Sequence, residues 1–224
     1  MSSPSTAVEA RKLPLYAAMV EAIRQKMTRA ARVGCDLLQR GSGGGMVLAG
    51  PWMLGVDLLL PAAHPMSRAG HVAAFRRLGD RWRQALAKSG FLAGIADATS
   101  IAAHNAAARE AGLDWACFAG LSHGELLDAQ GRKLLGLAQR RGRWGILLSS
   151  GLLLAQTPWE ILEFVRHGQR PERSAMHRLA SPGLAELDPA FAVESLCRCL
   201  LDSVQRDLVA TPLDFLALEQ ESVT

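Results

Sequence analysis

The sequence predicts an α/β (α+β) fold, with strands and amphipathic helices interspersed along one chain, and three observations carry that reading. Val72, Phe75, Leu78, Trp82 and Leu86 recur at three- and four-residue spacing, which gives a helix one apolar stripe. Gly145 to Leu154 is a continuous apolar run of strand length that contains Ser149, Ser150 and Gly151. Between these segments, Glu125 to Leu127 and Lys133 to Leu137 flank Asp128-Ala129-Gln130-Gly131. That is a hairpin signal, with glycine at the turn position that needs positive φ.

A chain of 224 residues suits one domain with a sizeable core, spanning 1–224. Hydrophobic residues make up 49% and charged residues 21%, ordinary globular values that exclude wholesale disorder. The net charge of +4 is mildly basic, but the arginines are spread along the chain rather than massed. That leaves nucleic-acid binding open without arguing for it, and no nucleic-acid partner is among those expected. The longest apolar runs are about half of what a membrane-spanning helix requires, and no membrane partner is expected. Met1 to Thr6 lack a basic segment followed by an apolar one, so no secretory signal is read there. Cysteines at 35, 117, 197 and 199 form neither a CxxC pair nor a zinc spacing. No metal site is expected, and a reduced, cytoplasmic compartment is the simpler inference.

Taken in order, residues 1–12 are polar and expected to be disordered. From Leu13 to Val33, Leu15, Met19, Ile23, Met27 and Ala30 mark an amphipathic helix whose solvated face carries Arg24, Lys26, Arg29 and Arg32. Next comes Arg40-Gly41-Ser42-Gly43-Gly44-Gly45-Met46-Val47-Leu48. Its consecutive glycines suggest a tight turn or a close approach of main chain to a ligand, with Arg40 supplying charge. A strand is expected after the glycines, paired with Gly55 to Leu60. The helix at Arg68 to Lys88 ends at Gly90. Ile101 to Gly112 is alanine-rich with weak periodicity and reads as a mobile connection in which His104 lies at the surface. After the hairpin, Gly145 to Leu154 reads as a buried central strand, in which Ser149-Ser150-Gly151 marks a bulge or a ligand's approach to backbone. A short helix runs from Trp159 to Phe164 behind Pro158. A final helix runs from Asp188 to Val209 through Phe191, Leu196, Leu200, Val204 and Leu208. Cys197 and Cys199, two apart on that helix, face different ways and read as packing residues.

The chemistry centres on Trp115 to Gln139. The hairpin would carry Lys133 back toward Cys117, and an ammonium beside a thiol favours the nucleophilic thiolate. The bland alternatives are a buried, inert cysteine, a solvated lysine and a flexible glycine loop.

Together, the segments Gln39 to Val47 and Cys117 to Gln139 resemble the biotin/lipoate protein ligase catalytic-domain family. Within it they are most similar to the cysteine-dependent octanoyltransferases of lipoate assembly. The first segment is similar to the family's arginine-x-Ser/Thr-Gly-Gly-Gly-x-Val loop. The second is the more specific, since Cys117-Phe118, Glu125, Gly131-Arg132-Lys133-Leu134, Gly136, Ala138 and Gln139 fall in family order. Ile146 to Leu154 matches the strand that follows.

The resemblance implies a mixed β-sheet packed by helices, with a shortened region ahead of Arg40 and a helical C-terminal portion over 166–224. It implies Cys117 as the nucleophile and Lys133 as the group that lowers the thiol pKa and orients the carbonyl. Arg40, Ser42, Gly43, Gly44, Gly45, Gly136, Ser150 and Gly151 would bind substrate. The donor would be octanoyl-acyl carrier protein or an octanoylated carrier domain, the acceptor a lysine of a lipoyl carrier domain, and no cofactor would be required. The sequence departs from the family pattern in carrying Ala49 where a histidine commonly follows the glycine loop, and Ser150-Gly151 where a histidine-glycine pair is common. Two alternatives stand beside this one. One is an ATP-dependent lipoate ligase, using ATP and Mg, in which Cys117 is incidental. The other is a non-catalytic relative that binds lipoyl or acyl carrier domains.

Overall fold

The computed structural model describes residues 21–209. The expectation for residues 1–12, the helix positions Leu15 and Met19, and the side chains of Val204 and Leu208 lie outside what is described. The described residues form two compact units. One comprises 21–41 with Pro158–Ser174, the other Ser42–Thr157 with the chain from Ala175 onward.

In the smaller unit, α1 covers 21–32, and Arg24 and Arg32 are exposed as expected. Lys26 and Arg29 are instead half-buried while Ile23 and Met27 of the expected apolar stripe are exposed, because this helix turns its Arg29 side toward α5 (Trp159–His167). Helix α5 follows Pro158 and stops at Gly168 in the left-handed conformation. Arg29 Nη1 donates to the carbonyl of Arg166 at 3.0 Å, linking the two helices. After α5, the backbone N–H of Ser174 donates to Glu160 at 2.9 Å, and its hydroxyl donates to Glu163.

The larger unit is built on one five-stranded sheet. Its strands are β1 (Met53–Pro61), β2 (Gly94–Ile95), β3 (Leu126–Leu127), β4 (Lys133–Gly142) and β5 (Gly145–Leu153). Their order is β1-β5-β4-β3-β2, and every ladder is antiparallel. Among the described residues, parallel pairing is confined to two isolated bridges, Met46 with Ala116 and Lys133 with Ala180. Sequence periodicity accounts for much of this arrangement. β1 alternates between partly covered and exposed positions, as suits an edge strand, whereas β5 lies between two neighbours and buries both its ends. Helices α2 (Pro65–Arg68), α3 (His71–Lys88), α4 (Ala98–Glu110), α6 (Met176–Leu179), α7 (Leu184–Leu187) and α8 (Val193–Val209) complete the unit. Helix α3 packs on α8 and buries Leu78, Trp82 and Leu86 of the expected stripe, while Val72 at its start is exposed. Phe91 and Phe191 meet edge to face at 6.3 Å.

Four expectations change. The chain after the glycines forms only the Met46 bridge, and β1 pairs with β5 rather than with 46–48. β5 offers β1 a full nine-residue ladder, from Met53 with Leu153 to Pro61 with Gly145. The alanine-rich segment is a helix, because Asp97 and Ser100 form a reciprocal capping box at its start. Ser149 to Gly151 run in unbroken register in β5, and the irregularity lies between Leu126 and Leu127 of β3. The final helix begins at Val193, since Asp188 instead ends α7. Among the described residues, no helix is long and apolar enough to cross a membrane.

Candidate active site

The hairpin forms as the turn chemistry requires. Gly131 adopts φ of +76°, and the Asp128 carboxylate accepts hydrogen bonds from the backbone N–H groups of Gln130 and Arg132 and from Arg132 Nε. This turn delivers Lys133 to the first position of β4, where its carbonyl accepts from Ser181 N at 2.9 Å. The side chain then points inward and is almost wholly buried, at 2% exposure.

A buried ammonium needs a partner for each proton. Lys133 Nζ donates to the carbonyls of Cys117 and Gly120, both at 2.9 Å, and pairs with Glu125 Oε2 at 2.7 Å. It also lies 5.2 Å from the centroid of the Phe118 ring. The lysine therefore does return to Cys117, as the hairpin predicts, but it reaches the main-chain carbonyl. Its three protons are spent on two carbonyls and a carboxylate, so none is left for the thiol.

Glu125 is as fully engaged as its partner. Its Oε2 also accepts from Ser122 N at 2.8 Å, and its Oε1 accepts from Leu137 N at 2.9 Å. The stretch leading into Glu125 is pressed against α3, where a side chain on Gly79 or Gly124 would strike backbone of the other segment.

The glycine-rich loop reaches the same place from the other side. Met46 N donates to Trp115 O at 2.8 Å, and Cys117 N donates to Met46 O at 2.7 Å, which fastens loop to cysteine. Gly45 has no room for a side chain, since a Cβ there would sit 2.1 Å from Trp115 O. At the far end of the cysteine turn, Asn105 of α4 accepts from Leu121 N and donates to Leu121 O.

These segments line an open cavity of about 410 Å³, within the range of small-molecule sites. Gly43, Gly44, Gly45, Cys117 and Lys133 all line it, joined by Asn105, Asp114 and Glu125. Cys117 is a free, half-buried thiol on the wall. The remaining sequence candidates lie elsewhere. Ser42, Gly136, Ser150 and Gly151 do not line the cavity. Ser150 is buried and accepts a hydrogen bond from Trp82 Nε1 at 3.0 Å. Gly136 lies against Phe118 and the Lys133 stem, and Gly151 against Met53 and Phe118, so both serve packing behind the wall. Arg40 falls in the smaller unit.

Sequence reasoning missed two neighbours of Lys133. Glu125 was matched as part of a motif but given no role. His104, expected at the surface, is half-buried in α4 with Nε2 enclosed and without a hydrogen-bond partner. Burial, and secondarily the charge of Lys133, push its pKa below the usual histidine range. Among the described residues, no group of three or more His, Cys, Asp or Glu is placed to hold a metal ion.

No family profile matches the sequence, and no curated protein matches it. Solved structures do. Lipoate-protein ligase A bound with ATP superposes with a TM-score of 0.55 at 13% identity, covering 81% of this chain and 62% of that one. The bi-partite lipoate protein ligase from Thermoplasma acidophilum, described with its E2 lipoyl domain, gives 0.53 at 12%, covering 81% and 61%. LipL1 of P. falciparum in complex with lipoate gives 0.51 at 11%, covering 84% and 44%. The chain thus has the fold of lipoate-protein ligase structures, and it spans about three fifths of the length of the first two.

Proposed function

We propose that this chain is a lipoate-assembly acyltransferase that moves an octanoyl or lipoyl group through Cys117 to a lysine of a lipoyl carrier domain. The observation that carries the reading is the convergence of the glycine loop, the Cys117 thiol and Lys133 on one cavity. In the first half-reaction the Cys117 thiolate attacks the thioester carbonyl of octanoyl-acyl carrier protein. A carbon–sulfur bond to Cys117 forms, the donor's carbon–sulfur bond breaks, and the donor thiolate leaves and takes up a proton. In the second, the neutral amine of the target lysine attacks the acyl-enzyme, an amide forms, and the departing Cys117 thiolate regains a proton from the amine. The route needs no ATP. The 1–224 chain would act as one catalytic domain in a reduced, cytoplasmic compartment, and its basic balance would speed encounter with acidic carriers.

Charge in the cavity favours this route over a nucleotide-dependent one. Among the described residues that line it, Lys133 is the one lysine or arginine. Glu125 matches that charge and Asp114 adds a further carboxylate, which is poor complementarity for a triphosphate. The second reading, an ATP-dependent ligase with an incidental Cys117, draws on the likeness to a ligase structure that holds ATP. Transfer of octanoate from its acyl carrier protein to a lipoyl domain, assayed with and without ATP and Mg, separates them. The proposed route predicts transfer without ATP that is lost in Cys117→Ala. Transfer that needs ATP and survives in Cys117→Ala would establish the ligase. Carrier binding without turnover under either condition would identify a binding relative.

A further inference from the structure

We infer that Glu125 is a positioning residue for Cys117, acting through Lys133, so that the ion pair serves as a main-chain clamp on the cysteine turn. The inference rests on Cys117 being the nucleophile, as proposed above.

The Cys117–Gly120 turn is held at three points. The glycine loop fixes Cys117 N through Met46 O at 2.7 Å. Asn105 fixes Leu121 from both sides. Lys133 alone ties the carbonyls of Cys117 and Gly120 to a common atom, at 2.9 Å each. A hydrogen-bond donor placed between two carbonyls three residues apart sets the curvature of the turn between them, and with it the direction in which Cys117 carries its side chain.

Nζ stays at that point because Glu125 holds it from the opposite side at 2.7 Å. Glu125 has little freedom, because its two oxygens are also held by Ser122 N and Leu137 N, one on the loop and one on β4. Both members of the pair are buried, with side-chain exposures of 2% and 3%, so water cannot stand in for either. The carboxylate also opposes the field that the ammonium would exert on the thiol. The pair's leverage on Cys117 is thus geometric, through the carbonyls, more than electrostatic. A nucleophile displaced by about 1 Å can lose two orders of magnitude in rate, which gives such a clamp catalytic consequence.

The test uses the full chain and p-nitrophenyl octanoate, an activated acyl donor that needs no carrier. Octanoylation of Cys117 is followed by nitrophenolate release, per folded molecule, in wild type and Glu125→Gln. Iodoacetamide alkylation of Cys117 is measured across pH in the same samples. The amide keeps the size of the carboxylate and removes the charge that anchors Lys133. Clamping predicts that Glu125→Gln slows acylation about tenfold or more at a pH above the alkylation midpoint of both proteins, where the freed ammonium's effect on thiol ionisation cannot account for a loss of rate. Acylation within about twofold of wild type overturns the inference, as does a midpoint shift of about one pH unit with an unchanged plateau rate. If wild type takes no octanoyl group, the function proposed above fails. The alkylation plateau then decides the clamp, which predicts a change of about threefold or more and is overturned by equality. Should Glu125→Gln not fold, Glu125→Asp carries the same comparison, since the shorter side chain cannot span both Leu137 N and Lys133.

Discussion

Replacing Lys133 with methionine keeps the length of the side chain and removes its charge and three donors. Glu125 would then lie buried without its counter-ion, although it would keep the N–H groups of Ser122 and Leu137. The carbonyls of Cys117 and Gly120 would each lose a donor. Breaking a buried ion pair by removing one partner costs about 3–5 kcal/mol, and an orphaned acceptor costs about 1–3 kcal/mol on its own. These losses share one site and are not additive, so about 3–5 kcal/mol is expected for the whole. That is a large part of a typical stability of about 5–15 kcal/mol. For a domain of this size it corresponds to a fall in Tm of about 6–20 °C. Urea unfolding followed by circular dichroism measures it directly. The double variant Glu125→Leu with Lys133→Met should recover part of the loss, because an apolar pair leaves no buried charge and orphans only N–H and C=O groups. A Lys133→Met protein within about 1 kcal/mol of wild type, with no coupling to Glu125, would refute the description of this pair as buried and mutually dependent.

Three further outcomes follow from other contacts. Asp128→Ala removes the acceptor of three hydrogen bonds in the turn before Lys133, and should cost about 1–3 kcal/mol in urea titrations. Gly45→Ala drives a methyl group into Trp115 O, so its effect should exceed that of Gly43→Ala, where a Cβ meets open space, in both thermal melts and the rate of Cys117 alkylation. Burial, and secondarily the charge of Lys133, hold the folded-state pKa of His104 below its ordinary value of 6.5, so the unfolded chain binds the proton more readily. The stability this histidine contributes is complete above pH 6.5 and is lost as pH falls toward the depressed folded value. In His104→Gln the fall in Tm across that interval should be smaller than in wild type, as differential scanning calorimetry would record.

What could be read from the sequence was local. The α3 stripe, the Asp128 to Gly131 turn and the apolar run of β5 each announce themselves within a single element, through side-chain period or turn chemistry. The pairing of β1 with β5 joins residues about ninety apart, and nothing in either strand names its partner. Helix α4 escaped because small alanines give no stripe, and the Asp97–Ser100 capping box that fixes its start is a feature of the folded backbone. At the site, the sequence grouped Cys117, Lys133 and the glycine loop, and of these Cys117, Lys133 and Gly43 to Gly45 line one cavity. It could not show that the lysine spends its protons on carbonyls and Glu125, because a carboxylate in a β-strand pattern looks the same whether it is solvated or buried. Ser150 and Gly151 were drawn into the site by family order, whereas Ser150 serves the packing of Trp82.

The most direct test of the account is intact-protein mass spectrometry after incubation with octanoyl-acyl carrier protein, comparing wild type with Cys117→Ala. The account predicts one octanoyl adduct on the wild type, removed by hydroxylamine as a thioester is, and no adduct on Cys117→Ala. A wild-type chain that takes up no acyl group, or an adduct that persists when Cys117 is gone, would contradict it.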